Sequence, residues 1–175
     1  MCGIAGFYGF EDKSLLKKMC DAIEHRGPDD FGIYTNSRIC LGARRLSIID
    51  VNGGHQPVHN EDGTIWIVFN GEIYNFHELK TLAEKKGHRF YTNCDTEAVV
   101  HLYEIFGNEC VKYMRGMFAF AIWDSKNKSL FLARDRLGKK PLYYTWANNN
   151  FFFGSEIKSI LQCQEVKREV NLQAL

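Results

Sequence analysis

The first candidate for chemistry is the cysteine at position 2. The chain begins Met-Cys-Gly-Ile, and the small side chain of Cys2 permits removal of Met1, which leaves Cys2 as the amino terminus. A terminal cysteine combines a thiol, with a reference pKa of about 8.5, and an α-amine, with one of about 7.7–8.0. The amine can accept the thiol proton during attack on a carbonyl, whereas retention of Met1 blocks that base. Alternatively, Cys2 is a small buried hydrophobic residue that opens a strand.

Further polar residues suited to carbonyl chemistry follow the predicted strands. Asn70 and Gly71 end the apolar run at residues 65–71, where a side-chain amide and a backbone N–H converge. Two such donors stabilise an oxyanion, but Asn-Gly is also a common turn dipeptide. The Arg45 guanidinium suits a carboxylate, or it covers a strand edge. The sequence pattern alone leaves these alternatives open.

Composition predicts one compact globular domain. The chain has 175 residues, of which 45% are hydrophobic, and its net charge is +1. No long basic run predicts nucleic-acid binding, no apolar stretch approaches the roughly 18 residues of a membrane span, and no secretion signal is visible. The six cysteines are scattered, which favours reduced thiols and a cytoplasmic location.

No metal site is predicted. The segment HQPVH places His55 and His59 four residues apart, but Pro57 prevents the helix that would align them, and other ligands of a tetrahedral site are not nearby in the sequence. The basic segment at residues 133–144 lacks the glycine, lysine and serine/threonine spacing of a phosphate loop. We instead predict a turn there, with an ion pair among Arg134, Asp135 and Arg136.

Periodicity predicts more strands than helices. Helices are predicted at residues 12–24, 75–86, 95–107 and 156–162 from apolar residues at helical spacing. Strands are predicted at residues 3–9, 32–35, 38–42, 44–49, 65–71, 117–124, 129–135, 141–147 and 150–155. Runs of strands interrupted by helices indicate an α+β fold, with two antiparallel sheets and the helices outside.

A series of motifs resembles the class II glutamine amidotransferase domain, and specifically the N-terminal glutaminase domain of asparagine synthetases. The matching segments run in family order and cover nearly the whole chain. They are MCGIAGFYG, HRGPDDFG, RRLSIID, GGHQPVHNEDG, FNGEIYNFHEL, CDTE, RGMFAFAIWD, ARDRLGKKPLYY and FGSEIKSIL. One departure is Ala43, where relatives usually carry histidine.

The resemblance implies a four-layer α-β-β-α sandwich of the N-terminal-nucleophile hydrolase type. It also implies that Cys2 attacks the side-chain amide of glutamine, that Asn70 and Gly71 form the oxyanion hole, and that Arg45 binds the substrate α-carboxylate. By family position, Glu72 and Asp95 hold the α-ammonium, although Glu72 also fits an exposed turn acid and Asp95 a helix N-cap. His25 is interpreted as structural, within a loop that forms part of the pocket wall.

The resemblance further implies that residues 1–175 form the glutaminase domain. An ATP-dependent synthetase domain, absent from this chain, or a separate synthetase subunit is expected to receive the ammonia. ATP and Mg²⁺ are expected only there, and this domain is expected to need no cofactor. Aspartate is the expected acceptor. The alternatives are a sugar or small-peptide acceptor, another N-terminal-nucleophile hydrolase activity, or a non-catalytic regulatory domain. A homodimer is left open.

Overall fold

Two antiparallel sheets form the centre of the protein. A computed structural model describes residues 1–48, 50 and 53–169. The strands are β1 (Gly3–Tyr8), β2 (Asp30–Thr35), β3 (Ile39–Arg45), β4 (Val58–His59), β5 (Ile65–Ile73), β6 (Gly116–Asp124), β7 (Ser129–Arg134), β8 (Tyr143–Ala147) and β9 (Asn150–Gly154). They form a five-stranded sheet in the order β2-β3-β1-β9-β8 and a four-stranded sheet in the order β4-β5-β6-β7.

The helices cover the outer faces of the two sheets. They are α1 (Lys13–Asp21), α2 (Phe76–Lys85), α3 (Asp95–Phe106) and α4 (Ile157–Ile160), with 3-10 turns at Glu24–Arg26 and Gly107–Lys112. Helices α1 and α4 share an apolar cluster with β1, β3 and β9. Helices α2 and α3 share another with β5 and β6. A third cluster, which includes Ala43, lies between the sheets. The predicted α-β-β-α sandwich is therefore confirmed.

Most predicted elements are present, but one strand prediction is wrong. Strand β3 runs without interruption through Arg45, so residues 38–42 and 44–49 do not form two strands. Pairing ends after Arg45 because its side chain donates to Asp50 O at 2.7 Å, and because Asp29 accepts from the Ser47 N–H at 2.8 Å. Residue 49 lies outside the described residues. The sequence also gave no signal for β4 or for the second 3-10 turn.

Strand β1 carries Cys2 to one end of the sandwich. It pairs with β3 on one side and with β9 on the other. Ser155, which follows β9, extends this pairing, because its N–H donates to Ile4 O at 2.8 Å and its hydroxyl accepts from the Ile4 N–H at 2.9 Å. The backbone immediately after Cys2 is thus fixed on both sides.

Within the described residues, no helix has the length and apolar character that crossing a bilayer requires.

We expect Ser155→Ala to lower the free energy of unfolding by about 1–3 kcal/mol, because it leaves the buried Ile4 N–H without its acceptor. Urea denaturation at pH 7 measures the change. Ser14→Ala is the matched control, since Ser14 is exposed on α1, and it should change stability by less than about 0.5 kcal/mol. Equal effects of the two substitutions would contradict the role assigned to Ser155.

Candidate active site

A cavity of about 190 Å³ opens at the end of the sandwich where β1 begins. All residues that the sequence analysis assigned to catalysis or substrate binding line it, and their roles remain predictions. The lining residues are Met1, Cys2, Arg45, Leu46, Ile48, Gly54, Gln56, Phe69, Asn70, Gly71, Glu72, Cys94, Asp95, Thr96, Met117 and Lys140.

The antiparallel pairing of β1 and β3 brings Cys2 close to Arg45. Gly3 lies opposite Arg44 in this pairing, so the start of β1 meets the end of β3. Cys2 precedes the strand and is half-buried, which does not fit a fully buried structural cysteine. Its Sγ donates weakly to Leu46 O at 3.8 Å. The thiol is therefore held at the cavity surface.

Arg26 holds the backbone of Cys2. Its Nε donates to Cys2 O at 3.0 Å, and its Nη1 donates to Glu156 Oε1 at 3.1 Å. His25 also contacts Glu156, at 2.9 Å, and it does not line the cavity, which agrees with the structural role expected for it. Burial raises the pKa of Glu156, but hydrogen bonds from Arg26, Lys158 and His25 outweigh burial and lower it to about 2. A charged Glu156 thus fixes Arg26, and Arg26 fixes Cys2.

Asn70 and Gly71 lie within β5, and not in a turn. The backbone N–H groups of Phe69 and Ile73 are bonded to the side chains of Gln56, at 2.7 Å, and Asp95, at 2.8 Å, on the edge away from β6. Because hydrogen-bonding direction alternates along a strand, the Gly71 N–H faces this same edge. The side-chain Nδ2 of Asn70 is buried and has no hydrogen-bond partner within the described part of the chain. The Asn70 amide and the Gly71 N–H are thus two neighbouring donors in residues that line the cavity.

Position 71 has no room for a side chain. A Cβ there would lie 2.3 Å from Met117 O and 2.8 Å from Phe118 Cα. These are backbone atoms of the paired strand β6, which cannot move without breaking the sheet. Glycine therefore allows β5 and β6 to remain in register beside the cavity.

Glu72 and Asp95 form a negative region on the cavity wall. Glu72 is exposed within β5 and Asp95 is buried. Burial raises the pKa of Asp95, backbone hydrogen bonds oppose the rise, and the nearby charge of Glu72 adds to it. Asp95 is the first residue of α3, and the N-cap is Cys94, so the N-cap alternative is wrong. A ligand cation between the two carboxylates would relieve their repulsion.

Arg45 lies on the opposite wall. It is 5% exposed, and one guanidinium nitrogen donates to Asp50 O at 2.7 Å. The loop that contains Gly27 and Pro28 runs beside it, and Asp29 N donates to Arg45 O at 3.1 Å. The residues of this loop do not line the cavity themselves. The loop therefore supports the wall through its contact with the backbone of Arg45.

Lys140 and Gln56 are site residues that the sequence analysis missed. Lys140 is 6% exposed, and its Nζ donates to Met1 Sδ at 3.3 Å. It therefore brings a positive charge next to the amino-terminal segment. Gln56 binds the N–H and C=O of Phe69 with its side chain and so replaces a neighbouring strand. Neither residue belongs to a short spacing pattern, so only the folded geometry reveals them.

The turn before Lys140 is present, but the predicted ion pair is not. The Asp135 carboxylate accepts backbone N–H bonds from Phe118, Leu137, Lys139 and Lys140. Burial raises the pKa of Asp135, yet these bonds keep it below its usual value. Arg134 donates to Gly138 O, and no ion pair among the described residues joins Asp135 to Arg134 or Arg136. Backbone donors satisfy the carboxylate instead.

Comparison with known proteins identifies the family of the chain. The family model described as "Glutamine amidotransferase domain" matches residues 1–175. Asparagine synthetase [glutamine-hydrolyzing] 3 of Bacillus subtilis (strain 168) is 40% identical, with 100% of this chain and 30% of the relative covered. Asparagine synthetase [glutamine-hydrolyzing] 1 of the same organism is 43% identical, with 100% and 29% covered. The chain thus spans less than a third of the length of these relatives.

Solved structures share the fold at low sequence identity. The structure titled as the allosteric regulatory enzyme of purine biosynthesis has a TM-score of 0.78 at 20% identity, over 92% of this chain and 43% of that one. Glutamine phosphoribosylpyrophosphate amidotransferase from B. subtilis has a TM-score of 0.74 at 19% identity, over 91% and 43%. The α-β-β-α sandwich is therefore the fold of these two solved structures. The chain belongs to the glutamine amidotransferase domain family.

We expect Glu156→Gln to destabilise the protein by about 1–2 kcal/mol at pH 7. This is less than the difference between the folded and unfolded pKa values of Glu156 implies, because Glu156 is partly exposed to solvent. The folded pKa of Glu156 is lowered to about 2, so its contribution is complete above the unfolded pKa of about 4.3. That contribution disappears as the pH falls toward 2. Urea denaturation of both proteins between pH 7 and 2.5 should therefore show a difference that shrinks with acid.

Glu109→Gln is the control for this prediction. Glu109 pairs with Lys112, and both side chains are largely exposed, so its removal should have little effect at any pH. A Glu156→Gln difference that stays constant down to pH 2.5 would contradict the charge-based explanation.

Proposed function

We propose that this domain hydrolyses the side-chain amide of glutamine to glutamate and ammonia through a thioester on Cys2. The observation that carries the proposal is the buried Asn70 Nδ2, which lacks a partner among the described residues beside the Gly71 N–H. A buried donor without an acceptor costs about 1–3 kcal/mol. A substrate oxygen in the cavity would accept from both groups and remove that cost.

The chain's own groups account for each step of the reaction. After removal of Met1, the Cys2 amine accepts the thiol proton while Sγ bonds to the amide carbon, and the oxyanion binds Asn70 and Gly71. The intermediate collapses as the C–N bond breaks, and the same amine donates its proton to the leaving ammonia. Water then adds to the thioester while the neutral amine accepts one of its protons. The C–S bond breaks, the proton passes from the amine to sulfur, and glutamate leaves.

The two charged walls support a free amino acid as the substrate. Arg45 would bind the α-carboxylate with two parallel hydrogen bonds, while Glu72 and Asp95 would hold the α-ammonium. These side chains come from different elements, β3 on one wall and β5 and α3 on the other. A zwitterion bound between the walls places its side chain toward Cys2. Such a pocket favours glutamine over a peptide, which has neither charge at the corresponding atoms.

For the ammonia, we propose transfer to an ATP-dependent synthetase domain or subunit that amidates aspartate. The support is the naming of both Bacillus subtilis relatives as glutamine-hydrolysing asparagine synthetases. ATP and Mg²⁺ would belong to that partner. The cytoplasmic location and the homodimer stay predictions.

The reaction is tested with a fusion protein that is cleaved immediately before Cys2. The cleaved protein should convert glutamine to glutamate, measured by glutamate release, and the uncleaved fusion should be at least about 100-fold slower because its amine is blocked. Cys2→Ala, cleaved in the same way, should release no glutamate. Failure of the cleaved wild-type protein to form any glutamate, with its amino terminus verified by mass spectrometry, would refute the proposal.

We expect Asn70→Ala to lower kcat by about 10²- to 10³-fold with little change in KM, because the lost donor acts mainly on the oxyanion. Steady-state glutaminase kinetics on the cleaved protein measure both constants. Asn108→Ala is the control, since Asn108 is exposed in the 3-10 turn Gly107–Lys112, and it should retain wild-type kcat. A loss confined to KM would contradict an oxyanion role for Asn70.

A further inference from the structure

Two histidines and two glutamates converge on the outer side of the four-stranded sheet. Glu61 lies in the turn between β4 and β5, His88 follows α2, and His101 and Glu104 lie on α3. One potential ligand atom from each side chain lies within 4.8 Å of all the others. We refer to Glu61, His88, His101 and Glu104 as the outer cluster. None of these residues lines the cavity that contains Cys2.

Four separations between imidazole nitrogens and carboxylate oxygens in the outer cluster lie between 3.0 and 3.5 Å. His101 Nδ1 lies 3.0 Å from Glu104 Oε2 and 3.5 Å from Glu61 Oε2, while His88 Nδ1 lies 3.3 Å from Glu61 Oε1 and 3.4 Å from Glu104 Oε2. Zinc–nitrogen and zinc–oxygen bonds of about 2.0–2.2 Å imply ligand–ligand edges of about 3.3–3.6 Å. Both histidines present the same ring nitrogen to the centre. The four nitrogen–oxygen separations therefore lie within about 0.3 Å of the ligand–ligand distances in such a site.

Outer contacts hold these ligand groups in place. Asn60 Nδ2 donates to Glu104 Oε1 at 2.8 Å, and the Arg89 N–H donates to Glu61 Oε1 at 2.9 Å. On the far side of its ring, His101 Nε2 lies 3.5 Å from Glu97 Oε1. A carboxylate behind the second ring nitrogen is the arrangement that orients histidine ligands in metal proteins.

The charge of the region also favours a cation. Glu61, Glu97 and Glu104 contribute three carboxylates, and their ion-pair partners within the described ranges are His88 and His101. Three carboxylates outnumber two imidazoles, so the group is net negative in every protonation state of the rings, and it lies around the fully buried ring of His101. The side chain of Glu61 is 38% exposed and that of His101 is 0% exposed, so an ion can enter from the Glu61 side.

The ring of His101 has His88 and Phe90 as its aromatic neighbours. A metal ion bound through Nδ1 takes the place of any proton on that nitrogen, and the proton is released to solvent.

We propose that the outer cluster is a binding site for a divalent transition-metal ion, with Zn²⁺ as the best match. Two imidazoles and two carboxylates suit Zn²⁺ far better than Mg²⁺. All four positions are filled by protein groups, so the site is structural and not catalytic. A bound ion would cross-link the β4–β5 turn, the segment after α2, and α3.

The test measures zinc binding and thermal stability in a Cys2→Ala background. This background removes the cysteine that is not buried among those described. With zinc chloride at a free concentration about a hundredfold above Kd, the Tm should rise by about 5–10 °C, and dialysed protein should retain one zinc ion per chain. Magnesium chloride should not change Tm.

Substitutions within the outer cluster distinguish this site from other zinc contacts. Glu104→Gln combined with His88→Gln should weaken zinc binding at least about 100-fold, whereas His77→Gln, at an exposed position on α2, should bind like its parent. Equal zinc binding and an equal Tm shift in parent and double variant would overturn the proposal.

A measurement on the unsubstituted cluster covers the case in which the double variant does not fold. Zinc added to the parent protein should shift the ring NMR signals of His88 and His101. A shift of the His55 and His59 signals instead, or no shift of any histidine signal, would also overturn the proposal.

Discussion

The candidate site depends on an interrupted sheet edge. Strand β4 pairs with β5 only through Val58 and His59, so the rest of that edge has no neighbouring strand. Buried backbone N–H groups need partners, and the side chains of Gln56 and Asp95 supply them on either side of Gly71. The N–H of Gly71, which lies between these two groups, faces the cavity. A structural hydrogen-bond donor thus becomes available for binding because one strand ends early.

The charged walls are held apart by the core between the sheets. Arg45 ends a strand of the five-stranded sheet, whereas Glu72 belongs to the four-stranded sheet. The apolar cluster between the sheets, which includes Leu41 and Trp123, sets their separation. Since such cores are close-packed and resist deformation, the spacing between the positive and negative walls is fixed before any ligand arrives. The selectivity proposed for a free amino acid would follow from this packing of the two sheets.

The sequence predicted the elements that carry strong periodicity. Helix α3 and strand β5 were located within a few residues, because their apolar spacing is regular and their burial is high. The division of β3 was wrong, because the small residues Gly42 and Ala43 interrupt the run of large apolar side chains although the backbone pairing continues through them. Local patterns report which side chains are buried, and they report backbone pairing only indirectly.

Site residues were predictable only where a motif carried them. The pattern at Cys2 suggested a nucleophile, but the roles of Asn70, Glu72 and Asp95 came from family resemblance. Arg26 and Lys140 were missed because each acts through a contact with residues distant in sequence. The outer cluster was missed for the same reason, since its members come from three separate segments. Single-sequence spacing detects ligands that share one helix or turn, and of these four residues only His101 and Glu104 do.

The order of the strands in the chain has a consequence for maturation. Strand β1 is synthesised first, but its neighbour β9 and the contacts of Ser155 and Glu156 come from residues after position 149. During translation the amino terminus therefore lacks its contacts with β9, Ser155 and Glu156 until nearly the whole domain has left the ribosome. A peptidase that acts on Met1 would have that entire interval before β9 pairs with β1.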